Sequence, residues 1–167
     1  MNLNTDPDPP PAVNTQADCV AALRWGFEAA LARGARQITC VSPHFVDWPL
    51  DDPALLQALS TWLRLPQRRL LMLAASYHLV PDLAPRFTRW RRDWSHAVLP
   101  WLAPAELAST LIDELFDDSL VCVKLIDFEQ GRGFARRDSR LRHGMEREID
   151  AVLQRSEAGF PVNTLGL

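Results

Sequence analysis

Two histidines and a group of aspartates hold most of the residue types in this chain that could do chemistry. His44 follows the apolar run 37–41, and Asp47, Asp51 and Asp52 follow it within eight residues. Neutral imidazole beside carboxylates can move protons or ligate borderline divalent ions. Tyr77-His78 follows a second apolar run, 69–75. If the two runs are neighbouring parallel strands, both imidazoles face one cleft, because ligand sites in open α/β sheets lie beyond the carboxyl ends of the strands. His44, Asp47 and His78 are then candidate catalytic residues of a hydrolase or phosphotransferase. Asp51-Asp52 before Pro53 also has the form of a helix N-terminus, which accounts for those two carboxylates without chemistry.

Other groups are weaker. Asp93, Ser95 and His96 contain the types of a hydrolytic triad, yet neighbours on one helix point in different directions and cannot form a relay. Arg132, Arg136, Arg137, Arg140 and Arg142 form the densest basic run. As a phosphate-binding strip it suggests a nucleic-acid reading; as a charged sheet edge it needs no ligand. The seven glycines are scattered, with no phosphate-binding loop, so no nucleotide cofactor is expected. Cys19, Cys40 and Cys122 lack CxxC or Cys/His spacing, so they read as reduced, buried thiols, and no metal site is expected.

The elements that must position these residues are read from periodicity. Residues 1–15, with Pro7, Pro9, Pro10 and Pro11, form a proline-rich arm that is disordered or docked, and 16–167 form one α/β domain. Val20, Leu23, Phe27 and Leu31 give a helical stripe over 17–33, stopped by Gly34. A strand is predicted at 37–41, a helix from Pro53 to about Leu65 and a strand at 69–75. Phe87, Trp90, Trp94 and Val98 share one arc at about 100° per residue, which predicts one helix across 86–101 with a core-facing aromatic stripe. Strands are predicted at 106–115, 119–128 and 133–137, joined by Asp-Asp and Gln-Gly turns, then a closing helix over 139–158. The apolar tail from Phe160 to Leu167 is expected to dock on the domain or a second subunit. The expected architecture is a three-layer sandwich with a mixed, partly parallel sheet.

Three phrases, Val46-Asp-Trp-Pro-Leu-Asp-Asp-Pro53, Trp90-Arg-Arg-Asp-Trp-Ser-His96 and Glu148-Ile-Asp-Ala-Val-Leu-Gln-Arg-Ser156, resemble an uncharacterised proteobacterial domain family. Some of its members are fused behind acetyltransferase domains. The order of elements from Ile38 to about Arg155 resembles one half of the phospholipase D-like fold, two βα units leading into a hairpin and a closing helix. That superfamily carries His-x-Lys-x4-Asp, in which the histidine attacks a phosphodiester and the lysine holds its charge. Placing the motif's Asp on Asp117 puts Thr110 and Ile112 at the His and Lys positions; Asp118 puts Leu111 and Asp113 there. Lys124 is the chain's one lysine, with Cys122 at the His position and Glu129 at the Asp position. The resemblance therefore implies the scaffold without its chemistry.

Composition narrows the rest. The 167 residues, 47% hydrophobic, suffice for one core, and a net charge of −3 argues against a general electrostatic grip on nucleic acid. No apolar run approaches the ~18 residues of a membrane span, and no signal peptide is read. The sequence reading is a non-catalytic phospholipase D-like binding or interaction module of the bacterial cytoplasm, forming a homodimer because half a fold exposes apolar surface. It has no membrane partner, and a protein partner is open.

Overall fold

The computed structural model describes residues 8–161. A capping box, Thr15 with Asp18, starts α1 (Gln16–Ala32). Then follow β1 (Gln37–Ser42), α2 (Pro53–Leu63), β2 (Arg69–Ala74), the single turn α3 (Val80–Leu83), α4 (Pro85–Asp93) and β3 (Val98–Leu102). The second half comprises α5 (Ala105–Ala108), β4 (Asp113–Asp117), β5 (Val121–Asp127), β6 (Arg132–Arg137), α6 (Ser139–Leu153) and β7 (Glu157–Ala158).

The seven strands form one sheet in the order β6-β5-β4-β1-β2-β3-β7. β1, β2 and β3 are parallel, and every other pairing is antiparallel. Side-chain alternation gives two cores. Ile38, Cys40, Leu70, Met72, Leu115 and Val123 face a layer of α1, α2 and α4, and Val41, Leu73, Phe116 and Cys122 face α6. The architecture is α/β with a mixed, partly parallel sheet between helical layers, as the periodicity predicts.

The structure corrects three stretches. The helix expected across 86–101 ends at Asp93, and Val98 begins a strand that pairs with β2 from Leu70 to Ala74. Phe87 is buried and Trp90 and Trp94 pack partly against the core, so the aromatic stripe holds for two turns only. Pro100 is tolerated in β3 because its carbonyl accepts from Gly159 N–H on the outer edge, so the donor it lacks would also have faced that edge. The strand expected at 106–115 is a single turn, α5, followed by β4, which runs on to Asp117. The helix expected to reach 158 ends at Leu153, and the next residues supply β7 to the open edge of β3.

At the amino end, Trp25 Nε1–H and Arg137 donate to the Asp8 carbonyl at 2.8 and 3.2 Å, so residues from Asp8 onward lie along α1. The expectation for 1–7, and most of that for the tail (162–167), lies outside the described residues. No helix among the described residues is long and apolar enough to cross a membrane.

Candidate functional site

The site is built where the parallel strands end. β1 stops at Ser42 and β2 at its register partner Ala74, so the loops after them leave side by side. The Pro43 carbonyl ties them, accepting from Ala75 N–H at 3.0 Å and Ser76 N–H at 3.2 Å. The His44 and His78 rings are thereby brought edge to face with centroids 6.0 Å apart. His78 Nδ1 is 2.5 Å from Ser76 Oγ, while His44 Nδ1 is buried without a hydrogen-bond partner.

The loop carrying His44 is strained. Phe45 sits at φ 55°, in the left-handed region that bulky L-residues avoid, and Asp47 at 63°, where aspartate is better tolerated. Packing holds it there: Phe45 is buried against Trp48 at 5.0 Å and Tyr77 at 6.0 Å, and its N–H donates to Ser42 Oγ. Strain persists where surrounding structure over-determines it, which is characteristic of ligand clamps and active sites. Beneath the loop, Trp48 Nε1–H donates to Asp113 at 2.7 Å. Burial pushes the Asp113 carboxyl above the usual range, with hydrogen bonds from Ser42 and Trp48 opposing it and the charge of exposed Asp47 adding to it.

Asp51 and Asp52 are structural, in different ways. Asp52 caps α2 through Ala54 N–H and pairs with Arg24. Asp51 reaches across to α4, accepting from Arg86 N–H at 2.7 Å. Asp93, Ser95 and His96 are exposed at the end of α4. The arginine run divides. Arg132 pairs with Asp127, and Arg142 pairs with Glu146. Arg136 lies over Phe134, and Arg137 lies over Trp25 on the opposite face of β6. Arg140 is exposed on the first turn of α6.

A second cluster was not legible in the sequence beyond the rarity of its lysine. Glu114 and Lys124 are register partners on β4 and β5, on the face covered by α6. Lys124 Nζ lies 3.5 Å from Glu114 and 3.7 Å from Glu148 of α6, beside a cavity of about 260 Å³ also lined by Thr110 and Ile149. Burial pushes the Glu114 carboxyl up to about 7, with Lys124 opposing the rise. Cys122, on the same face of β5, donates to the Arg136 carbonyl, and burial pushes its thiol up to about 11. Glu129 is exposed in the turn between β5 and β6. Among the described residues, no group of three or more His, Cys, Asp and Glu is placed to hold a metal ion.

No family model matches the sequence, and no curated protein is similar to it. The fold defines a class, an α/β domain with a mixed, partly parallel sheet between helical layers, and the likeness to solved structures is one of fold. Among solved structures, the phosphatidylserine synthase of Haemophilus influenzae Rd KW20 is similar with a TM-score of 0.55 and 13% identity. The match covers 87% of this chain and 38% of the synthase chain, so this chain spans well under half of that protein.

Proposed function

We propose that the chain is a phospholipase D-like binding module without phospholipase D chemistry. The observation that carries this reading is the state of Lys124. In the motif's frame it stands at the cation position, yet it is held between Glu114 and Glu148, and a phosphate brought to it would meet the Glu148 carboxylate and the buried Glu114 carboxyl. Cys122, at the nucleophile position, is a buried thiol rather than a thiolate. Its buried, free cysteines suit a reducing compartment, and the cytoplasm is the proposed location. The synthase acts in phospholipid synthesis by its name; a phospholipid-related ligand is one extension of that likeness to this chain.

A second reading is favoured by the 6.0 Å separation of His44 and His78 under a strained loop. Two imidazoles that close can serve one phosphoryl group, one as base or nucleophile and the other as acid. One assay separates the readings. Incubated with bis(p-nitrophenyl) phosphate, the chain is expected to show no turnover above buffer. Turnover that falls roughly 10²-fold or more in both His44→Gln and His78→Gln establishes the histidine site instead, and turnover lost in Lys124→Met restores phospholipase D-like chemistry.

A further inference from the structure

Arg91 is the most unusual charge in the molecule. It sits in the last turn of α4 with only 4% of its surface exposed. Buried arginines are normally paired with a carboxylate. Among the described residues Arg91 has none. One Nη donates to the Pro161 carbonyl at 3.0 Å, the guanidinium stacks on Phe160 at 3.4 Å, and Nε is buried without a partner. The negative end of α4 gives only a partial charge, and exposed Arg92 on the same turn already meets it.

The surroundings form a site. Arg91 lines a cavity of about 240 Å³ whose other walls include Ser95, Val98, Leu99, Trp101 and Phe160. Phe160 is itself held at φ 48°, sandwiched between Arg91 and the Tyr77 ring, which it stacks on at 5.2 Å. Gly159 permits this strap: a Cβ there would come within 3.0 Å of the Leu102 Cβ. A bulky residue is thus kept in a strained conformation against a largely apolar cavity whose lining includes one guanidinium without a carboxylate partner among the described residues.

We infer that this cavity binds a small monocarboxylate with an apolar body, its carboxylate on Arg91. A single cation, with no lysine or second arginine in the lining, matches one negative charge better than a phosphate dianion. The planar guanidinium fork suits a planar carboxylate. The volume lies below the roughly 300 Å³ at which drug-sized pockets begin, which selects a short acyl or single-ring acid. This deepens the binding-module reading and rests on it only in taking ligand capture as the task of the chain.

The test is titration of the full chain with benzoate and hexanoate, followed by fluorescence, since Trp101 lines the cavity, and by thermal shift. Saturable binding of at least one acid is expected, with benzamide and inorganic phosphate inert. Arg91→Met replaces a buried charge that has no carboxylate partner among the described residues by an apolar chain, so it should fold and lose the acid. Arg91→Lys, which keeps charge but not the fork, should weaken binding roughly tenfold or more. The inference is overturned if neither acid binds up to about 10 mM, if benzamide or phosphate binds as well as benzoate, or if Arg91→Met binds undiminished. Should Arg91→Met fail to fold, the comparison of acid with amide on the unaltered chain decides. Absence of carboxylate binding together with absence of phosphodiester turnover removes this inference and leaves the absence of phospholipase D chemistry standing.

Discussion

Glu114 shows how a single buried side chain sets a property of the whole fold. It is 3% exposed on β4, and desolvation outweighs the attraction of Lys124, so its folded-state value lies near 7 against 4.5 for a free glutamate. A raised carboxyl binds its proton more tightly in the folded protein than in the unfolded chain. Stability therefore declines as pH rises from about 4.5 to about 7 and levels off above that. Glu114→Gln lacks this decline. Urea denaturation at pH 4 and pH 8 should show the difference between variant and parent moving in favour of Gln by up to the order of 3 kcal/mol. A constant difference across that range would mean that Glu114 is solvated in the native state. The same position explains why Lys124, whose side chain is 26% exposed, is tied to the sheet rather than offered to a ligand.

At the level of elements, contacts between distant segments do work usually done locally. α4 begins at Pro85 with Ala84 before it, and Ala84 has no side chain able to cap. Asp51, on the far side of α2, supplies the missing acceptor to Arg86 N–H and Phe87 N–H. Asp51→Ala should destabilise the protein by about 1 kcal/mol, with Asp51→Asn recovering most of it, as measured by chemical denaturation. No loss would show that solvent caps α4 equally well. The turn between β5 and β6 is bound to α1 in a similar way. Gly131 adopts φ 64°, and a Cβ there would collide with the Thr15 backbone at the start of α1. The hairpin and the first helix are thus locked by one residue without a side chain.

For the molecule as a whole, the open question is what lies against it. The sheet ends in β7, a strand of two residues paired with Trp101 and Leu102, so among the described residues most of the outer edge of β3 has no strand beside it. We propose a second copy of the chain as partner, since the chain matches only 38% of the similar synthase chain and a closed two-fold pair would supply a second unit to its open side. Sedimentation at micromolar concentration is expected to give a species of twice the 18.9 kDa chain mass, and monomer alone would contradict the proposal. Association should persist in high salt, because the interface expected is apolar rather than ionic.

The sequence alone determined those features that local physics decides. Period-3.6 stripes specified α1 and α2, a β-branched apolar run specified β1, a second short apolar run bounded by Pro66 specified β2, and Gln130-Gly131 specified the hairpin, because in each case local pattern and burial agree within a short window. It also determined that no histidine stands two residues before the one lysine. Tertiary structure decided the rest. Val98 continues the helical stripe by spacing but is drawn into a strand, because β2 offers a ladder of hydrogen bonds that one more helical turn cannot match. The pairing of His44 with His78 depends on Ser42 lying opposite Ala74, a register no local pattern encodes. Arg91 is adjacent to Arg92 and indistinguishable from it in the sequence; only the return of Phe160 over α4 buries one and leaves the other in water. Periodicity can assign a residue to a face of its own element, but what covers that face is set by chain segments far away along the sequence.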